Sequence, residues 1–480
     1  MKDTQSTENI ASGPAGLPRT IEMKETTDKL NGRNGHLTSG RLLARNTIWN
    51  LIGNGAPLIV AVFSIPILIH GLGKDRFGVL TLAWALIGYA SLFDIGLGRA
   101  LTQLVAKKLG SGENHEIPAL AWTSLLLMLA LGAVGSVAII AISPWLTHHA
   151  LKIPEGIQPE VLRGFYLLGL AVPAVVATAG LRGLLEAHQR FDLITALRIP
   201  TGVFTFVGPL MALPFSRSLG PVVGILVAGR FLGFLAHVLV CFKVIPELRQ
   251  RVAWHGPSAV PLLQFGGWTT VTNIVGPMMV YMDRFVIGAL VSTAAVAYYA
   301  TPYEVVTKIF IVSGAISAVM FPAFSTAGAG DRQRSSMLYR RGMTYMFAFM
   351  LPVITVLMLV AKPGLSLWLG ADFAAHSYQV AQLLLIGTFA LAMESLPFVL
   401  IQGLGRPDIP AKINLVEIPF YAAGLYWLIE KYGVTGAAAA WVLRGTVDAL
   451  AFIYFAHRLQ KGPATELSNV QLASPVSVDR

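Results

Sequence analysis

Residues 46–70 read NTIWNLIGNGAPLIVAVFSIPILIH, with no Asp, Glu, Lys or Arg among them. About 20 apolar residues in helical form cross the hydrocarbon core of a bilayer, so this stretch is predicted to span a membrane. Pro57 and Pro66 do not argue against a helix here. Proline is frequent in transmembrane helices, where neighbouring helices satisfy the backbone groups it frees. Working outward, similar stretches recur with short polar breaks between them. The first six are 46–70, 77–99, 118–143, 164–185, 195–215 and 220–243. The second six are 262–288, 294–323, 342–361, 378–404, 412–429 and 434–457. The fold class is an all-α polytopic membrane protein with about 12 transmembrane helices.

Composition agrees. Hydrophobic residues make up 54% of the 480 and charged residues 13%, about half the charge of a soluble chain. The spans leave almost no sequence for a soluble domain. Residues 1–43 are polar and charged and lack the apolar core of a signal peptide, so they read as a disordered tail, as do 459–480. Between them lie two halves, 44–250 and 251–458. The net charge of +11 reflects topology rather than nucleic-acid binding. Of 36 Lys and Arg, 25 fall on the side that holds both termini, seven on the other and four at membrane depth. By the positive-inside rule both termini are expected in the cytoplasm. The seven on the far side are Lys74, Arg76, Lys152, Arg163, Arg217, Lys362 and Lys431.

The halves resemble each other weakly. Trp49 and Asn54, then Pro57, match Trp268 and Asn273, then Pro277. Gly220 and Gly224 leading to Arg230 match Gly433 and Gly436 leading to Arg444. Six spans bring the chain back to its starting side, so such a repeat is parallel, about an axis along the membrane normal. Two bundles of that kind are expected to enclose a central cavity whose access alternates, which is transporter architecture. Nothing here hydrolyses ATP: the nearest phosphate-loop look-alike, Gly71-Leu-Gly-Lys74, ends in Asp75. The single cysteine, Cys241, permits no intrachain disulfide and no cysteine-based metal set. No cofactor is expected. The longest outer loops, 144–163 and 362–377, are too short for a catalytic domain, so an integral-membrane glycosyltransferase or polymerase is disfavoured.

Ionisable residues at membrane depth cost a few kcal/mol by insertion scales and mark function by default. The cations there are Arg230, Arg284, Lys308 and Arg444, and the acids are Asp94, Asp283, Glu304, Glu394, Glu417 and Asp448. Glu304 with Lys308, and Arg444 with Asp448, are spaced to meet on one helix face. Arg230 has no acid at that spacing, so a partner must come from another helix or from substrate. Arg284 stands toward the outer end of its span, where snorkelling alone would account for it. Asp94 stands near the cytoplasmic end of its span. His237 shares a face with Arg230, and a packed histidine is favoured there over a proton carrier. Trp49, Trp84, Tyr89, Tyr298, Tyr299 and Tyr303 are candidates for a sugar path, with core packing favoured.

Several of these residues carry a family resemblance. Asn46-Thr-Ile-Trp49, Pro66-Ile-Leu-Ile-His70-Gly-Leu-Gly73, Phe77-Gly78, Tyr89 and Asp94-Ile-Gly-Leu-Gly98 resemble the start of the Wzx-type polysaccharide flippases. Tyr281-Met-Asp283-Arg284-Phe-Val-Ile-Gly288 and Ala297-Tyr298-Tyr299 are similar to that family's seventh and eighth spans. The resemblance runs from about residue 42 to 458 and implies a superfamily shared with drug/cation antiporters and lipid II flippases. It implies a bacterial inner-membrane protein that flips undecaprenyl-pyrophosphate-linked oligosaccharide to the periplasmic leaflet. Coupling to H+ or Na+ is implied too, with a polysaccharide polymerase and a chain-length regulator as partners. On this reading Arg230, Arg444, Lys308 and Arg284 face the anionic cargo, since Arg suits phosphate. Asp283, Glu304, Asp448 and Asp94 take the coupling ion. The alternative is a multidrug/cation antiporter of the same fold.

Overall fold

Hydrocarbon offers no partner to a free backbone N–H or C=O, so an apolar stretch that long is stable only when its hydrogen bonds close within a helix. A computed structural model follows that rule. It describes residues 40–249, 256, 278–314, 316–317, 320, 324, 332–404, 406 and 408–461, among which there are helices and turns and no strand. Most of both expected tails, the start of the seventh span with Trp268, Asn273 and Pro277, and most of 315–331 lie outside the described residues, as do the side chains of Trp49 and Asn54.

Helices α1 (Gly40–Leu72), α2 (Lys74–Ala90), α3 (Leu97–Ser111), α4 (Ile117–Trp145), α5 (Gln158–Ala187), α6 (Phe191–Ala212) and α7 (Leu219–Val244) form the first half. The second half begins with α8 (278–290), α9 (Thr293–Val306), α10 (Arg332–Leu369) and α11 (Ala371–Gly403). The run Asp408–Lys461 is broken at Gly433 (φ 59°, ψ −135°), a conformation that suits glycine, into α12 (408–432) and α13 (434–461). Every expected span overlaps a helix. Seven runs among the described residues are long and apolar enough to cross a bilayer. The chain is an all-α polytopic membrane protein.

Two boundaries differ from expectation. The second span, read as one helix over 77–99, breaks between α2 and α3. Residues Ser91–Asp94 form a 3-10 turn, and Ile95 and Gly96 take positive φ of 47° and 70°. Hydropathy does not register such a bend, because the residues on either side remain apolar. The outer loops are also shorter than expected. A π-helical turn at Leu146–Ala150 and a 3-10 turn at Glu155–Ile157 fill most of 144–163. Helices α10 and α11 run through 362–377 with only Gly370 between them. Helices in this protein continue past the apolar core, where hydropathy can no longer follow them.

From Gly53 onward the chain packs as one unit, and its two ends differ. At the end where Gly73, Lys152, Val291 and Gly370 link helices, here termed distal, the halves are joined. Val79, Phe165 and Val223 pack in one cluster with Ile287, Tyr299 and Trp441. Leu68 and Leu226 pack in another with Leu369 and Phe373. Polar contacts reinforce the joint. Lys74 pairs with Asp372, and Thr293 donates to Asp75 Oδ1 at 2.7 Å. Lys152 Nζ donates to the Leu290 carbonyl at 2.6 Å, and Trp368 Nε1 to the Val62 carbonyl at 2.6 Å. Small residues allow the approach: a Cβ on Gly78 would sit 1.8 Å from the Thr293 carbonyl oxygen. At the opposite, proximal end the buried clusters of the described residues do not mix. One holds Leu101, Leu120, Leu184 and Cys241 of the first half, the other Met346, Leu396, Ile409 and Phe452 of the second.

Candidate functional site

Helix α8 carries Asp283 and Arg284 into the second half, both buried. The Asp283 carboxylate accepts from the Tyr299 hydroxyl of α9 and from the Arg284 backbone N–H at 2.7 Å. Arg284 Nη2 donates to Glu304 Oε1 at 2.8 Å. Its guanidinium lies over Tyr281 (5.4 Å to the ring centroid) and Tyr303 (5.1 Å). Glu304 also meets Lys308 one turn on, at 3.6 Å. Tyr303 stands edge-on to Trp441 of α13 at 5.2 Å. Beyond it the pattern repeats around Arg444, which lies over Tyr421 (5.3 Å) and Trp441 (5.8 Å). Arg444 Nε donates to Glu417 Oε1 at 3.0 Å and lies 3.7 Å from Asp448 Oδ2. Glu394 of α11 is within electrostatic reach of Arg444, Asp448 and Glu417. One network of charge and aromatic rings thus links α8, α9, α11, α12 and α13.

Burial explains why it is so fully paired. A guanidinium is the weakly hydrated cation best suited to such a place, because its planar fork binds a carboxylate while its faces stack on rings. Even so, Glu417 Oε2, Asp448 Oδ1, Arg284 Nε, Tyr421 Oη and Trp441 Nε1 are buried without a hydrogen-bond partner among the described residues. Three cations and five acids share this region: Arg284, Lys308 and Arg444 against Asp283, Glu304, Glu394, Glu417 and Asp448.

Six of the eight site residues expected from sequence belong to this network: Arg284, Lys308, Arg444, Asp283, Glu304 and Asp448. Arg284 does not snorkel; at 1% exposure it is among the largest fully buried side chains, held by Glu304 and two rings. The nearer acid to Arg444 is Glu417 rather than the Asp448 that the i,i+4 spacing indicates. Folding 408–461 back on itself at Gly433 would have found it, since an antiparallel hairpin sets Glu417 across from Ala449, about a turn and a half from Arg444 and within reach of its long side chain. Tyr421 and Trp441 carry no sequence signal that separates them from core aromatics.

Arg230 and Asp94 stand apart. Arg230 Nη2 donates to Thr205 Oγ1 of α6 at 3.2 Å, its Nε is buried without a hydrogen-bond partner, and no carboxylate pairs with it among the described residues. No hydrogen bond or ion pair among the described residues joins it to Arg444. Asp94 Oδ1 accepts from the Gly98 N–H at 2.9 Å, capping the start of α3 just past the break. His237 is buried, its Nδ1 donating to the Gly233 carbonyl at 2.7 Å, a packed histidine. Trp84 packs against Phe77 and Phe206. Tyr89 donates to the Met278 carbonyl at 3.2 Å, and Tyr298 belongs to the distal joint, over Lys74 and stacked on His376. Among the described residues no group of His, Cys, Asp and Glu forms a metal-binding arrangement.

Comparison with known proteins gives this geometry a setting. Residues 68–377 match the polysaccharide biosynthesis protein family. A Shigella flexneri protein provisionally named an O-antigen transporter is 31% identical over 409 residues, covering 85% of this chain and 96% of its own length. A Haloferax volcanii protein provisionally named a flippase is 21% identical over 418 residues, covering 85% and 82%. Among solved structures, an inward-facing multidrug MATE transporter superposes with a TM-score of 0.71 at 13% identity, covering 88% of this chain and 99% of its own. An outward-facing form scores 0.60 at 13% identity, covering 90% and 96%. The chain belongs to the Wzx-type polysaccharide flippase family of the multidrug/oligosaccharidyl-lipid/polysaccharide exporter superfamily.

Proposed function

We propose that this membrane transporter flips oligosaccharide repeat units anchored to undecaprenyl pyrophosphate from the cytoplasmic to the periplasmic leaflet of the bacterial inner membrane. Both termini face the cytoplasm, and transport is coupled to a proton or sodium ion. The observation that carries this reading is the 31% identity over most of the chain to the Shigella flexneri protein, and Arg230, a cation at membrane depth with no carboxylate partner among the described residues, fits an anionic cargo. A pyrophosphate is a doubly linked anion, Arg is its natural bidentate partner, and a charge inside the bilayer is costly unless function needs it. Arg284 and Arg444 are held rigid by rings and carboxylates, and Lys308 is left half-exposed at the network's edge. Arg230 offers a second cation from the other half.

The ion-coupling role falls to Glu417 and Asp448. Each keeps one buried oxygen without a donor, which a proton or small cation would satisfy. With the distal end joined, the six-span halves part at the proximal end, and cargo enters from the cytoplasm. Rocking of the halves then transfers the headgroup while the lipid tail stays in the bilayer. A polymerase and a chain-length regulator would receive the product. Deleting the gene tests the reading: lipid-linked repeat units should accumulate on the cytoplasmic face, and surface polysaccharide should disappear. Intact polysaccharide together with raised drug sensitivity would replace the flippase by a drug antiporter.

A further inference from the structure

A groove of about 240 Å³ runs between α9, α10 and α11 in the distal half of the molecule, lined only by apolar residues that include Pro302, Val305, Ile309, Leu357, Gly364 and Ala381. Pro302 and Val305 lie on α9, and Ile309 ends the 3-10 turn Thr307–Ile309 that continues it. Over that length a helix rises about 10 Å, so the groove follows the helix axis rather than crossing it. Its rim faces lipid, with Val305, Leu357 and Val360 all exposed. Small side chains leave the space open. A Cβ on Gly364 would meet only Val360 Cγ1, at an ordinary 3.5 Å. Lys308 stands three residues beyond Val305, in the 3-10 turn that follows α9. It is 40% exposed and makes the longer of the two ion contacts to Glu304.

We infer that this groove holds the isoprenoid chain of the cargo while Lys308 meets the phosphate at its head. The inference rests on the flippase reading above and adds to it where the chain lies. An apolar trough and a half-exposed cation one turn apart match an amphiphile that has an anionic head and a hydrocarbon tail. Bulk lipid could wet the trough, but it has no need of the adjacent charge. A chain seated along α9 stays in an apolar medium throughout and keeps its head beside the network.

The test uses the full-length protein in proteoliposomes. The probes are two synthetic repeat-unit pyrophosphates that differ only in chain, one long polyisoprenyl and one a methyl ester that carries no isoprene unit. Gly364→Phe fills the groove, and its Cβ has room. The ratio of long-chain to short-chain translocation should fall about tenfold, equivalent to about 1.4 kcal/mol of lost chain seating. Leu359→Phe, on the lipid-exposed face of the same helix, should leave that ratio unchanged. A photoreactive long-chain probe on the wild-type protein should label peptides from 302–309 and 357–368, which keeps the inference testable if the filled variant folds poorly. An unchanged ratio, an equal loss for both chains, or labelling spread evenly over the lipid-facing helices would overturn the groove and leave the flippase standing. Wild-type protein that moves neither probe would overturn the flippase reading itself, and the groove assignment with it.

Discussion

Arg230 on α7 and Arg444 on α13 occupy matching places in the two halves of the sequence, yet they live in different surroundings. Arg444 has two carboxylates and two aromatic rings around it. Among the described residues Arg230 has a single hydroxyl partner, and its Nε has no hydrogen-bond partner. The first is a component of the fold: its charge is neutralised in place, and removing it strands other charges. The second is neutralised by no carboxylate among the described residues. A charge at membrane depth is kept at a cost, and in the proposed function the cargo's phosphate supplies the missing partner. The comparison therefore sets a scaffold arginine against one that the proposed function leaves for the cargo.

The sharpest way to break this contrast is to remove Arg444. Truncating one member of a buried ion pair costs about 3–5 kcal/mol, because the other is left charged and unpaired. Arg444→Ala should therefore lower the thermal midpoint of the purified protein and abolish surface polysaccharide together. Changing Glu417→Gln alongside should recover much of the midpoint without recovering transport. An unaltered midpoint for the single variant would show that Arg444 is no more part of the scaffold than Arg230.

Arg230 should behave in the opposite sense. Arg230→Met removes a charge that insertion scales price at about 2.5–3.5 kcal/mol at the membrane centre. Thermal stability should hold or rise while polysaccharide export falls. Unfolding comparable to that of Arg444→Ala would mean an acidic partner supports it after all. Arg284→Lys probes the network from its other end. The ammonium keeps the charge but cannot reach Glu304 and lie flat between Tyr281 and Tyr303. A loss of about 2 kcal/mol is expected from the ring contacts, read again in the thermal midpoint, with Lys restoring less than half of what Ala removes.

How far all this was legible in the sequence differs by level. The spans were, because a bilayer imposes a length and an apolarity that no soluble helix needs to meet. Membership of a charge cluster was partly legible: six expected residues meet in one network, since charge at membrane depth is rare enough to be informative. Partners were not. Glu417 lies opposite Arg444 only because Gly433 folds the chain back, and a pairing rule confined to one helix turn cannot look across that bend. Nor could hydropathy report the break between α2 and α3, where Asp94 turns inward to cap Gly98. A carboxylate at membrane depth looks the same in sequence whether it binds an ion or ends a helix.

The smallest energetic effect belongs to the distal joint, and it extends the comparison from two residues to the two halves that carry them. Lys74 and Asp372 join the halves but are substantially exposed, at 39% and 67%. Exposed pairs of this kind contribute about 0–1 kcal/mol, so Lys74→Ala should barely move the thermal midpoint. The pair is nonetheless well placed to report on separation of the halves. Cys241 is the single native cysteine and is buried, so a Lys74→Cys/Asp372→Cys variant offers one reactive pair at the surface. A reducible bifunctional thiol cross-linker of about the ion pair's span should tie the distal end shut and stop export, and reduction should restore it. Arg76 and Glu160 supply the control. They pair at 2.9 Å within the first half, so the same cross-link between cysteines there should leave export unchanged. If both bridges arrest export, the first half must itself deform during transport. If neither does, the halves do not part at this end, and the distal joint is a permanent weld rather than a closed gate.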